Sequence, residues 1–171
     1  IYGDERILSR SEFFEQLRTR RAYTSGVNPA LVREKFEDAL KDGKDILCIT
    51  VSSGLSGSYD TIYMVALYLK GMYPARSIEV IDSLSATLAS GFLCMDALEM
   101  KKQGKTLQET SEEIKKRVHR IDVYFVVDNF KYLVQGGRVS EAVGKIGDIL
   151  DIKLILTMKN GRIEPYRKNR G

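Results

Sequence analysis

The sequence predicts an α/β fold: a three-layer α/β/α domain on a mainly parallel sheet, followed by the start of a second, α+β domain. Three observations carry this. Runs of strand length at 46–51 (ILCITV), 78–81 (IEVI) and 123–127 (VYFVV) alternate with amphipathic helical stretches. The first and third runs are continuously apolar, as in strands covered on both faces. The rhythm then breaks at Lys159-Asn160-Gly161, where Asn-Gly between two strand-like runs marks a hairpin.

The elements follow in order. Residues 9–20 form a short helix with Phe13, Phe14 and Leu17 on one face. Asn28 caps a second helix, Pro29 takes its first position, and Gly43 closes it, with Leu31, Val32, Phe36, Ala39 and Leu40 inward. After strand 46–51, the turn SSGLSG (52–57) leads into a helix to about 71 with Ile62, Val65, Ala66 and Leu69 inward. Strand 78–81 is closed by Asp82-Ser83. A long helix over 85–103 directs Leu88, Phe92, Leu93, Ala97 and Met100 inward. Thr106 and Glu109 form a capping box for a helix carrying Ile114 and Val118. Strand 123–127 precedes a helical turn at 130–134, which Gly136-Gly137 stops. Ser140 caps a helix running through 149, and strands 153–158 and 162–167 make the hairpin. Residues 1–135 are thus expected to be one α/β domain. Residues 136–171 are expected to begin a truncated α+β domain.

Composition excludes several classes. The 171 residues are 43% hydrophobic and 29% charged, which is globular rather than disordered. The longest apolar run, 62–69, is far short of the roughly 18 residues of a membrane span. The net charge of +4 resides in the last stretch, where Lys153, Lys159, Arg162, Arg167, Lys168 and Arg170 outnumber Asp151 and Glu164. No basic stripe with interleaved aromatics accompanies it, so nucleic acid is not the expected partner. Cys48 and Cys94 have no metal or redox spacing and read as buried thiols in a reducing compartment.

Enzyme signatures fail one after another. Gly104-Lys105-Thr106 lacks the first glycine and the preceding strand of a phosphate-binding loop and reads as a helix stop and a helix start. Gly54-Leu55-Ser56-Gly57 places its second glycine too early for a nucleophile elbow. The single histidine, His119, falls at a helix end, where a surface or half-buried role is expected. No metal cluster and no dinucleotide fingerprint is present, so no catalytic residue, metal or cofactor is assigned.

What remains is hydroxyls near strand ends. Ligands of open parallel sheets bind outside the carboxyl ends of the strands, where a helix N-terminus offers free N–H groups. Ser52, Ser53, Ser56 and Gly57 occupy such a turn. It reads either as a receptor for a carboxylate or phosphate, or as an ordinary helix cap. Thr24 and Ser25 supply two hydroxyls before another helix start, or merely a capping segment. Arg138, after two glycines, is either the cation for that anion or a surface arginine.

Taken in order, Thr24-Ser25 with Asn28-Pro29, then ITVSSGLSGSY, IEVIDS, YFVVDNFKYLVQGGRVS and DIKLILTMKNGRIEPYRKNRG, the chain resembles the DegV family of bacterial fatty-acid-binding proteins. The likeness covers nearly the whole chain. SSGLSGSY and the GGR block with its following serine are the most specific parts. The resemblance implies a cytoplasmic two-domain carrier, not an enzyme, that holds a long-chain fatty acid in an apolar tunnel between its domains. It implies presentation of the carboxylate to a separate ATP-dependent fatty acid kinase subunit, giving an acyl phosphate for phospholipid synthesis. By the same resemblance Thr24 and Ser56 bind the carboxylate, Ser25, Ser53 and Gly57 support them, and Arg138 lies near the site or the partner surface. The competing reading is a small-molecule, phosphate-handling enzyme of related fold. The resemblance further implies that the 1–135 domain lacks the family's first strand. Two blocks depart from the family pattern. Its usual Gln-Pro-Ser-Pro is Gly26-Val27-Asn28-Pro29 here, and its Asp-Thr-Leu is Asp128-Asn129-Phe130.

Overall fold

The computed structural model describes residues 8–147 and 152–170. Helix α1 (Arg10–Thr19) starts at Ser9, whose side chain and that of Glu12 form a capping box. It buries none of its residues, and Phe14 is exposed. Helix α2 (Pro29–Lys41) begins as the sequence dictates. The Asn28 side chain accepts from the Ala30 N–H, and Pro29 fills a position whose N–H would have had no helical partner. Gly43, at φ +74°, ends it.

Strand β1 (Ile46–Thr50) pairs in parallel with β2 (Ile78–Asp82), from Ile46 opposite Ile78 to Thr50 opposite Asp82. Between them runs α3 (Ser58–Met72). After them come α4 (Thr87–Lys102) and α5 (Leu107–Val118), the last opened by the Thr106–Glu109 capping box. The period-two side-chain alternation of the strands sorts these helices into two layers. Leu47, Ile49 and Ile81 pack against Leu93, Ala97 and Met100 of α4 and Ile114 and Val118 of α5. Ile46, Ile78 and Val80 pack against Leu40 of α2 and Ala66 and Leu69 of α3. The three-layer α/β/α arrangement therefore follows from one strand pair with apolar residues on both faces.

A second sheet follows. Strand β3 (Tyr124–Phe125) pairs antiparallel with β4 (Ile152–Lys159), which pairs antiparallel with β5 (Arg162–Arg170). Helices α6 (Lys131–Gln135) and α7 (Glu141–Gly147) lie between β3 and β4 in sequence. Phe130, Val139, Leu154 and Leu156 form the buried core of this unit. Asn160 (φ +49°) and Gly161 (φ +77°) both take the left-handed conformation that a tight two-residue hairpin turn requires. Pro165 sits opposite Leu156, beside a register shift and on the edge strand, where its missing N–H is tolerated.

Several expectations change. The run 123–127 is not a third parallel strand. Among the described residues Tyr124 and Phe125 pair antiparallel with the hairpin, and Tyr124 and Val126 are exposed. Strand β1 is half-buried along most of its length rather than sealed on both faces. Leu31 faces out, as do Leu88 and Phe92, at 76% and 57% exposure. Helix α4 is apolar around its circumference, so periodicity could not say which stripe meets the sheet. The smaller Ala89 and Ala97 pack inward with Leu93 and Met100. Cys94 is exposed and Cys48 half-buried, where two buried thiols were expected. Burial, and after it the neighbouring Cys94, pushes the Cys48 thiol above its ordinary pKa. The expected end of the α7 helix at 149 falls outside the described residues.

Candidate functional site

The carboxyl ends of β1 and β2 open into two serine-rich loops. The loop after β1 is pinned by Ser52, which is fully buried. The Ser52 N–H donates to the Ser85 carbonyl at 2.8 Å, and its own carbonyl accepts from Leu55 and Ser56 at 3.0 and 3.1 Å. The Ser52 hydroxyl reaches across to the second unit and donates to the Gly161 carbonyl at 2.6 Å. This close approach requires glycine on both sides. A Cβ on Gly54 would lie 2.4 Å from the Gly161 oxygen, and one on Gly161 would lie 2.6 Å from Ser52 Oγ. The hairpin tip thus rests on the β1–α3 turn.

The loop after β2 is held by its own side chains. The Asp82 carboxylate accepts the N–H of Leu84 at 2.9 Å and that of Ser53 at 3.2 Å, tying the two loops together. Ser83 Oγ donates to the Ser85 carbonyl at 3.1 Å and bonds Ser90 Oγ at 3.0 Å. Leu84 and Thr87 adopt positive φ (48° and 56°), a costly conformation for a leucine and for a β-branched residue.

Of the residues singled out in the sequence, Ser53, Ser56 and Gly57 lie together on the β1–α3 turn, with Gly57 as the N-cap of α3. Gly57 supplies no capping side chain, so the first turn of α3 relies on Ser56. Its Oγ accepts the Ser58 N–H at 3.2 Å and lies 2.9 Å from Ser58 Oγ. Arg138 joins the same turn from the other unit. Its Nε donates to the Leu55 carbonyl at 2.9 Å and a terminal nitrogen donates to the Gly136 carbonyl at 2.5 Å. Among the described residues Arg138 has no carboxylate partner. Its charge is therefore held beside the positive end of α3 by neutral carbonyls, a setting that favours an incoming anion.

Thr24 and Ser25 are exposed, and no hydrogen bond among the described residues joins their hydroxyls to the turn. Their segment is tethered three residues on from Thr24, where the Val27 N–H donates to Ser58 Oγ at 3.2 Å. His119 is the exposed C-cap of α5. A cavity of about 290 Å³ lies elsewhere, along β2 between α3 and α5, with Lys70, Glu79 and Lys115 in its lining. Glu79 is already paired with both lysines.

Sequence reasoning missed Ser58 and Asp82 as parts of this site. Ser58 stands two residues after Ser56 within a block singled out for other reasons, and its tie to Val27 spans 31 positions. Asp82 ends β2, and a side chain at a strand's carboxyl end is a signal that could have found it. Tyr59 is a further neighbour. Burial first, and then the Asp82 charge, raises its hydroxyl above the ordinary tyrosine range, so it stays neutral.

Hydroxyls, backbone N–H groups and an arginine gathered outside the ends of parallel strands mark a class of α/β protein whose strand-end turns can take an anionic group. Within that class the chain belongs to the DegV family, whose model matches residues 1–171. A DegV domain-containing protein of Clostridium acetobutylicum is 35% identical over 148 residues, covering 86% of this chain and 52% of the relative. The chain spans about half the length of the curated relatives it matches. Among solved structures, a fatty-acid-binding DegV family protein from Thermus thermophilus superposes with a TM-score of 0.81 at 28% identity, over 96% of this chain and 57% of the other. The Streptococcus pneumoniae fatty acid kinase (Fak) B3 protein loaded with linoleic acid superposes with a TM-score of 0.83 at 26% identity, over 94% and 57%.

Proposed function

We propose that this protein binds a long-chain fatty acid and presents its carboxylate to a separate ATP-dependent kinase subunit, itself acting as carrier rather than catalyst. The carboxylate is received by the Ser56 and Thr24 hydroxyls, with Ser25, Ser53 and Gly57 in support and the Arg138 charge beside them. The observation that carries this reading is the β1–α3 turn, where Ser56 stands at a helix N-terminus next to an arginine that has no acidic partner among the described residues. The fatty-acid binding of the Thermus thermophilus DegV family protein and the linoleic acid carried by the Streptococcus pneumoniae Fak B3 protein support a fatty acid as the ligand.

The apolar surface supports it further. Leu88 and Phe92 stand exposed on the first turns of α4, at the same end of the sheet as the Ser56 turn. Such side chains suit an acyl chain, whose transfer from water contributes about 0.8 kcal/mol per methylene. The hydroxyls then set which end of the ligand faces out, while the chain supplies most of the affinity. Among the described residues no helix is long and apolar enough to cross a membrane, and no group of three or more His, Cys, Asp or Glu could hold a metal.

The experiment is denaturing extraction of the purified full chain followed by mass spectrometry, alongside Ser56→Ala and Thr24→Ala. The expected outcome is a long-chain acid in the wild-type extract, with carboxylate binding weakened in each variant by about 0.5–3 kcal/mol. An extract holding only nucleotide or sugar phosphate would overturn the reading in favour of a phosphate-handling enzyme.

A further inference from the structure

Strand β2 leaves one edge open. The Ile46 N–H donates to the Ser77 carbonyl at 2.8 Å, and the Ser83 N–H donates to the Thr50 carbonyl at 3.3 Å. Backbone groups alternate direction along a strand, so Ser77, Glu79, Ile81 and Ser83 turn theirs towards β1, and Ile78 and Val80 turn theirs away from it. Among the described residues β2 has no second neighbour, and the Val80 N–H and carbonyl have no hydrogen-bond partner. Val80 lines the cavity of about 290 Å³ between α3 and α5, at the small end of the range for ligand sites.

Side chains charge the rim of this groove. Glu79 accepts from Lys115 of α5 at 2.9 Å and from Ser111 at 3.1 Å, and Lys70 of α3 stands 3.6 Å from its other oxygen. Because α3 and α5 lie on opposite faces of the sheet, Lys70 comes round the edge of β2 to reach this carboxylate. Two lysines against one glutamate leave one positive charge, and both ammonium groups are half-exposed with further hydrogens to donate. Asp82, further along β2, already accepts the Leu84 and Ser53 N–H groups. Tyr59 and Tyr63 stack at 5.8 Å along the α3 wall.

We propose that this groove binds an extended acidic peptide, which adds to β2 as a further strand and sets its carboxylates against Lys70 and Lys115. A free N–H and a free carbonyl on one strand edge match the backbone of an extended peptide, and the lysines select its charge. A second copy of this chain fits worse, because pairing β2 with β2 would bring two such positive rims together. Lysines beside an open edge are also a common guard against unwanted pairing. Here the guard is selective: it repels another copy of itself and leaves the edge open to an acidic strand. The groove is separate from the Ser56 turn and does not depend on the fatty-acid reading.

The test uses the full chain and a fluorescein-labelled, C-terminally amidated peptide Thr-Glu-Val-Glu-Thr, followed by fluorescence anisotropy and by amide hydrogen exchange at Val80. The wild type should bind this peptide at least about fivefold more tightly than Thr-Lys-Val-Lys-Thr, and more tightly by a similar factor than the acidic peptide N-methylated at every residue, which keeps the charges and cannot pair as a strand. The bound peptide should slow exchange of the Val80 N–H. Lys115→Ala should weaken the acidic peptide about 2- to 5-fold, and Glu79→Gln, which frees both lysines, should tighten it about twofold. Lys115 is exposed, so its variant decides the question if Glu79→Gln does not fold. Equal binding of the acidic peptide and its N-methylated form, or an affinity unchanged in Lys115→Ala, overturns strand addition selected by charge. No binding of the acidic peptide leaves the lysines as a guard on the edge and removes the site. A wild-type dimer whose formation protects the Val80 N–H gives the groove to a second copy and overturns the proposal.

Discussion

The two halves of this molecule reach their cores by opposite routes. The β1–β2 unit pairs parallel strands separated by a helix, so every contact in its sheet spans about thirty positions, as Ile46 with Ile78 does. Among the described residues its sheet is two strands wide, and its stability comes from helices α2 and α3 on one face and α4 and α5 on the other. The β4–β5 unit pairs neighbours across a two-residue turn and draws in β3 and Phe130 from the chain before it. The first unit depends on layering and the second on local turn chemistry. They meet where the hairpin tip bonds Ser52 and where Arg138 bonds the Leu55 carbonyl. Those two contacts are polar, and the proposed carboxylate site lies beside them, where the two sheets meet.

The largest expected effect separates the two cores. Leu93 and Leu156 are both completely buried, one in each unit. Leu93→Ala and Leu156→Ala should each cost about 2–5 kcal/mol. By hydrogen exchange, Leu93→Ala should speed exchange in β1, β2 and α4 while β4 and β5 keep their protection, and Leu156→Ala should do the reverse. Loss of protection throughout the chain in either variant would show that the molecule is one cooperative unit and that no division near residue 135 exists.

A smaller effect probes the junction. Gly54→Ala puts a Cβ against the Gly161 carbonyl, which is backbone and cannot swing aside. The hairpin tip must lift from the turn, at a cost of about 1–3 kcal/mol for an overpacked contact. Fatty-acid binding should fall more than stability does, because Ser56 and Arg138 flank the same turn. A variant as stable as wild type and equally competent in binding would mean that the contact between the units does not shape the site.

The smallest effect belongs to the parallel unit alone. Burial raises the Glu79 pKa, but hydrogen bonds from Lys115 and Ser111 and the charge of Lys70 outweigh it, and the carboxyl sits below its ordinary value. A depressed carboxyl stabilises the fold above its unfolded pKa of about 4.3 and loses that contribution as pH falls through the lower folded value. Glu79→Gln should therefore be less stable than wild type near neutrality, with the gap closing below about pH 4 in urea titrations. A gap that stays constant on acidification would show that the ion pairs around Glu79 contribute nothing to stability.

Much of this was written locally in the sequence. Asn28-Pro29 fixed the start of α2, Thr106 with Glu109 the start of α5, and Asn160-Gly161 the hairpin, because each is a short-range steric or hydrogen-bonding device that needs no distant partner. The turn holding Ser53, Ser56 and Gly57 was legible for the same reason. Tertiary structure alone decided which stripe of α4 meets the sheet, since apolar residues surround that helix and small alanines packed in ahead of Leu88 and Phe92. It also decided that Tyr124 and Phe125 join the hairpin, because a short apolar run carries no mark of its partner's direction. Finally, it brought Val27 to Ser58, Arg138 to Leu55 and Gly161 to Ser52, at separations of 31, 83 and 109 positions. A hydroxyl, a carbonyl and an N–H have no sequence signature for one another at such range, and only the packing of the layers sets them within bonding distance.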